Sequence, residues 1–199
     1  FFAVAFALLL FGWIETENPN LLPGLILIGS FAIPVSFTIF FFECNLPKNI
    51  SLYTLTKLFV WGGILGIIFS LILYEVNLGT ATMFGASAAA LLEEPGKLAA
   101  VLILANATRH HWTLNGICMG AAVGAGFAAF ESAGYALQGL LMSAVFVDKM
   151  ADGDGIDFML DVMFTRGVLA PFGHVIWTAI LVGALWRVKG KEPFGFAML

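Results

Sequence analysis

The chain has 199 residues, 60% of them apolar and 11% charged, with a formal net charge of −4 and a mean hydropathy of +0.97. This composition excludes a water-soluble globular domain and marks an integral membrane protein, surrounded by the lipid bilayer and with no nucleic-acid partner expected. The two cysteines, Cys44 and Cys118, make neither a disulfide framework nor a CxxC motif.

Six membrane segments fit the hydropathy, which predicts an all-α polytopic bundle forming a single domain over 1–199. Residues 1–14 are short for a span, so this segment is expected to be truncated or tilted. The second segment, 21–42, carries Pro34 in mid-span, a predicted kink. The third, 53–76, starts beside Lys57, which can snorkel. The fourth, 81–106, contains Glu93-Glu94-Pro95-Gly96-Lys97, where Pro95 predicts a kink or break beside the carboxylates. The fifth opens near Leu114, and Gly116, Gly120 and Gly124 recur every four residues, the spacing that lets another helix approach closely. Its apolar run reaches Val147, which predicts a turn or half-helix after Gln138. Residues 148–157 read as a polar loop and 158–164 as an interfacial stretch anchored by Arg166, before a sixth span over 167–186.

Positive charge sorts by loop. Lys48, Lys57, Arg109, Arg187, Lys189 and Lys191 fall at alternate ends, whereas the intervening ends hold only Lys149 and Arg166 among acidic residues. The positive-inside rule therefore places both termini in the cytoplasm of a cell-membrane protein.

Glu93, Glu94, Glu131 and His174 are ionisable groups set in apolar runs of the last three spans. Each costs several kcal/mol at membrane depth by the lenient insertion scales (about 3) unless it is partnered. Glu93 and Glu94 lie four and three residues before Lys97, so all three can share a helix face. At ~1.5 Å rise per residue, Glu93 lies roughly 18 Å and His174 about 10 Å from the outer ends of their spans, and Glu131 roughly 25 Å from its cytoplasmic end. These depths overlap in a ~30 Å core, so a shared intramembrane site is expected. Paired carboxylates suit a general base that takes a proton from water and later protonates a leaving amine, with histidine orienting the water or donating to an oxyanion. Alternatively, Glu94, Glu131 and His174 hold a divalent metal such as zinc, with Glu93 as base. Either version describes peptide hydrolysis within a membrane.

The same residues carry a family resemblance. Glu93-Glu94-Pro95-Gly96-Lys97 resembles the EExxK motif of the PrsW-type intramembrane proteases. Phe127 to Glu131 with Ser132 and Tyr135 is similar to their second motif, and Arg166 with Pro171-Phe172-Gly173-His174 to their third. The motifs occur in order within 91–183. The family is distantly similar to the CAAX prenyl proteases, from which this chain departs at Glu131, where they have histidine, and at Thr178, where they have asparagine. The resemblance implies a peptidase that cuts membrane-anchored regulators such as anti-sigma factors near the extracytoplasmic face. It implies catalytic Glu93, Glu94, Glu131 and His174, with Lys97, Arg166 and Tyr135 in support.

The alternative is a proton-coupled transporter or channel, since intramembrane carboxylates also relay protons. Transporters place broken helices at matching positions of two halves. Here the intramembrane polar residues are expected in the last three spans alone, which favours an enzyme.

Overall fold

The computed structural model describes residues 1–77, 87–105, 110–145 and 154–189, and among these every regular element is helical. Six helices carry the described residues: α1 (Phe2–Thr16), α2 (Leu22–Cys44), α3 (Leu52–Val76), α4 (Ser87–Leu104), α5 (Thr113–Val145) and α6 (Asp154–Lys189). Four of them, α2, α3, α5 and α6, are long and apolar enough to cross a membrane. At 15 residues, α1 spans only about 22 Å, short of the ~30 Å hydrocarbon core as its sequence implies. The helix α4 has 18 residues and carries the charged cluster.

Local chemistry accounts for the helix starts. The Asn18 side chain accepts from the Asn20 amide at 3.0 Å, opening a 3-10 turn over Pro19–Leu21 that runs into α2. Ser51 Oγ accepts from the Thr54 amide at 3.1 Å and so caps α3. The first-turn prolines cost nothing there, because the missing amide hydrogen has no intrahelical acceptor.

The core is α5. Every residue from 118 to 129 is buried, with α6 along one side and α2, α3 and α4 around the rest. In lipid, helices gain little from hiding apolar surface, so close van der Waals contact has to hold them. The glycine stripe supplies it. A Cβ at Gly116 would stand 2.5 Å from Trp186 Cβ, one at Gly120 2.6 Å from the Thr178 carbonyl oxygen, and one at Gly124 would meet the His174 carbonyl. The expected close approach therefore joins α5 to α6. Polar groups fasten the start of α5, where Asn115 Nδ2 donates to Asn49 Oδ1 at 2.6 Å and Asn45 Oδ1 at 3.1 Å.

Within α3, residues Leu58–Gly62 form a π-helical turn. The Phe59 carbonyl there faces Gly126 of α5, where any Cβ would collide with it.

Two expectations about helix extent change, and α4 does not break at Pro95. α5 continues unbroken past Gln138 to Val145, and residues 146–147 lie outside the described residues. α6 begins at Asp154, so the end of the expected polar loop and the whole interfacial stretch are its first turns. With 36 residues it is about 54 Å long, more than a bilayer core requires, so its acidic start projects beyond the hydrocarbon. α4 continues through Pro95 without a break; the proline ring lies on the exposed face while Glu93 and Lys97 point inward. α2 likewise continues through Pro34, where Thr38 Oγ1 donates to the Pro34 carbonyl at 2.9 Å. Lys57 Nζ donates to the Leu104 carbonyl at 3.0 Å and caps α4. Arg109, Lys149, Lys191, Asp148 and Asp152 lie outside the described residues.

Candidate active site

The site grows from one helical turn of α4. Glu93, Glu94 and Lys97 share the inward face, and Lys97 has no exposed surface at all. Its ammonium lies 2.7 Å from Glu94 Oε1, 3.4 Å from Glu93 Oε2 and 2.8 Å from His174 Nδ1. It also stands 4.1 Å from the centre of the Phe127 ring, whose face is electron-rich. Three polar partners and one aromatic face together replace the hydration shell that burial removed. Lys97, expected in a supporting place, is the hub of the cluster.

The two adjacent glutamates have different surroundings. Both oxygens of Glu94 are engaged, Oε1 by Lys97 and Oε2 by the Thr178 hydroxyl, which donates at 2.9 Å. Glu93 has only long contacts: Lys97 at 3.4 Å, and the Tyr74 hydroxyl at 3.5 Å on Oε1. Glu93 is therefore the more loosely held of the two carboxylates and the better placed to take part in chemistry.

α5 and α6 complete the constellation. His174 Nε2 lies 3.2 Å from Glu131 Oε2, and its Nδ1 lies 3.6 Å from Glu93 Oε2. Lys97 donates to Nδ1, so Nε2 is the nitrogen turned to Glu131. The Arg166 guanidinium reaches the same Glu131 oxygen at 2.7 Å and lies 4.3 Å from the Tyr135 ring centre. Gly124 packs directly under the His174 carbonyl, so the glycine stripe also sets how near the imidazole comes to α5. All seven residues singled out in the sequence thus belong to one connected network.

Two participants were not singled out. Ser70 and Tyr74 of α3 sit one turn apart; Tyr74 contacts Glu93, and Ser70 Oγ donates to the Glu93 carbonyl at 3.5 Å. Intramembrane polar residues are therefore not confined to the last three spans. A tyrosine near the end of an apolar run looks like an interfacial anchor, so nothing in the sequence distinguishes Tyr74 from one.

A cavity of about 370 Å³ opens over this network, lined by Tyr74, Glu93, Phe127, Glu131, Tyr135 and Gln138 among others. Glu93, Glu131 and His174 each bring a ligand atom, all within 4.8 Å of one another. The expected metal trio named Glu94 in place of Glu93; the geometry groups Glu93, because Glu94 is turned to Lys97 and Thr178. Two carboxylates and one imidazole are suitable donors for a divalent metal and leave a coordination position open. Charge agrees: three carboxylates face one ammonium and one guanidinium, so a negative charge is left over. The residues fit a metal.

Neither a curated protein nor a solved structure matches the chain. The family model described as PrsW family intramembrane metalloprotease matches residues 51–198, which takes in α3 to α6 and every residue of the network. With three-quarters of its length matched and the carboxylate–histidine cluster at the centre, the chain belongs to the PrsW family of intramembrane metalloproteases, integral membrane peptidases acting on membrane-embedded protein substrates.

Proposed function

We propose that this protease hydrolyses a peptide bond of a membrane-anchored regulator, of the anti-sigma-factor kind, near the extracytoplasmic face, with water activated by Glu93. The meeting of Glu93, Glu131 and His174, from three different helices, with both carboxylates in the wall of one cavity, is the observation that supports this reading. Glu93 Oε1 accepts a proton from the water as the water oxygen bonds to the scissile carbonyl carbon, and Glu93 then delivers that proton to the departing amine. His174, held between Lys97 and Glu131, orients the water and the scissile carbonyl. Glu94 acts through Lys97, fixing the ammonium that fixes His174; Arg166, stacked on Tyr135, fixes Glu131. Glu93, Glu131 and His174 are the residues that would hold a divalent metal such as zinc, which supplies Lewis-acid polarisation and a more acidic water when bound. The sorting of lysine and arginine supports an orientation with both termini cytoplasmic and the cavity mouth towards the outer face.

The test is cleavage of a co-expressed membrane-anchored reporter by wild-type, Glu93→Gln and Glu94→Gln proteins. Both substitutions are expected to lower cleavage by at least two orders of magnitude in folded, inserted protein. Cleavage at the wild-type rate by Glu93→Gln would remove the glutamate mechanism.

A further inference from the structure

A second depression in the molecule lies beside the cleft. Between the first turns of α2 and the second half of α5 runs a groove of about 540 Å³, lined by Leu22, Ile26, Leu27, Leu137 and Leu141 among others, with no charged residue in its wall. Gly134 lines both this groove and the catalytic cavity. It lies three residues beyond Glu131 on α5, one turn along the helix. A Cβ built at Gly134 meets nothing within 4 Å, so the surface there is open as well as low. Away from this point an aromatic ridge divides the two depressions. Phe31 on the groove side and Phe130 on the cavity side meet edge to face, with ring centres 5.2 Å apart.

We propose that this groove docks the transmembrane segment of the substrate and that Gly134 is the saddle over which the substrate chain crosses to Glu93 and Glu131. The inference rests on the protease reading above and adds the place of entry. The wall chemistry is that of a membrane-embedded partner: apolar side chains match an apolar span, and polar groups begin only past the saddle, where a peptide bond needs them. A lipid chain also fits an apolar groove, but a lipid has no use for a path that ends at two carboxylates. Continuity with the cavity therefore selects the substrate chain as occupant. A glycine suits the crossing because the substrate backbone must come close to α5 there.

The experiment uses the full chain in lipid nanodiscs with a tagged reporter that has one leucine-rich span. A photoreactive benzoylphenylalanine replaces Leu137 in the groove, or Ile180 on the exposed face of α6, in protein also carrying Glu93→Gln so that the reporter is not consumed. Cross-linking from 137 is expected to exceed that from 180 at least tenfold. Equal yields at the two positions would assign the groove to lipid and overturn the proposal. In otherwise wild-type protein, Gly134→Phe is expected to lower the ratio of reporter cleavage to cleavage of a short water-soluble peptide of the same sequence at least tenfold. An unchanged ratio would overturn docking at the saddle and leave the protease reading standing. Wild-type protein that cleaves neither substrate would defeat the protease reading, and the cross-link ratio would then decide docking by itself.

Discussion

Replacing Lys97 with methionine tests the central ion cluster. Methionine nearly matches the lysine stem in volume, so the change removes the ammonium and leaves little cavity. Two carboxylates then lose their buried counter-charge: Glu94, which held Lys97 at 2.7 Å, and Glu93 at 3.4 Å. His174 Nδ1 loses its donor as well. Breaking a buried pair by removing one partner costs about 3–5 kcal/mol, because the remaining charge stays desolvated. The upper half of that range is expected here, since Lys97 is fully buried and serves three groups. Removing the stranded charge too, in Lys97→Met with Glu94→Gln, should recover about 1–3 kcal/mol of the loss, as a contacting pair does in a double-mutant cycle. Reversible unfolding in mixed micelles, followed by tryptophan fluorescence, reads both quantities. A single variant as stable as the wild type, or a double variant no more stable than the single, would refute the argument that Lys97 neutralises the cluster.

Two other outcomes follow from the packing and from the donor set. Gly120→Leu should destabilise the bundle by about 1–3 kcal/mol or more, since its Cβ would sit 2.6 Å from the Thr178 carbonyl oxygen and 2.8 Å from Val182 Cβ. Thr178 donates to Glu94, so reporter cleavage should fall with stability, and normal unfolding in detergent would count against close packing of α5 on α6. Stripping purified active protein with a strong chelator should abolish cleavage, and added zinc should restore it; full activity in protein shown by elemental analysis to be metal-free would leave Glu93 as the activator of water.

The chemistry of the site was legible because charge in an apolar run is expensive and therefore conspicuous. Glu93, Glu94, Glu131 and His174 could be read as meeting, since each needed a partner that lipid does not provide. The partition between the two glutamates was not legible. It depends on Thr178 and Tyr74 approaching from other helices, and adjacent residues in sequence carry no sign of which way each turns. Helix extents failed for a related reason. Asp154 and Asp157 read as loop because they are polar, yet carboxylates also suit the first turn of a helix that projects from the bilayer. Pro95 looked like a breaker because local sterics were the only guide; the structure gives its ring an exposed face on which nothing has to pack.

The π-helical turn of α3 bears on how the site tolerates changes in chain length. A π turn holds one residue more than an α turn covering the same stretch. Deleting one residue of 58–62 would let the segment relax to ordinary α geometry, a locally favourable change, and because the shorter α turn covers the same stretch, the residues after it would keep their place on the helix. Ser70 and Tyr74 would go on facing Glu93, and the change would be confined to the turn itself, where the Phe59 carbonyl is seated against Gly126. A deletion between Gly63 and Phe69, in the α-helical part of α3, has no such slack: it would turn Ser70 and Tyr74 by about 100° relative to the start of the helix and strip the cavity of one wall. Along α3 the π turn is thus the place where a change of chain length can be absorbed, and the segment after it the place where it cannot.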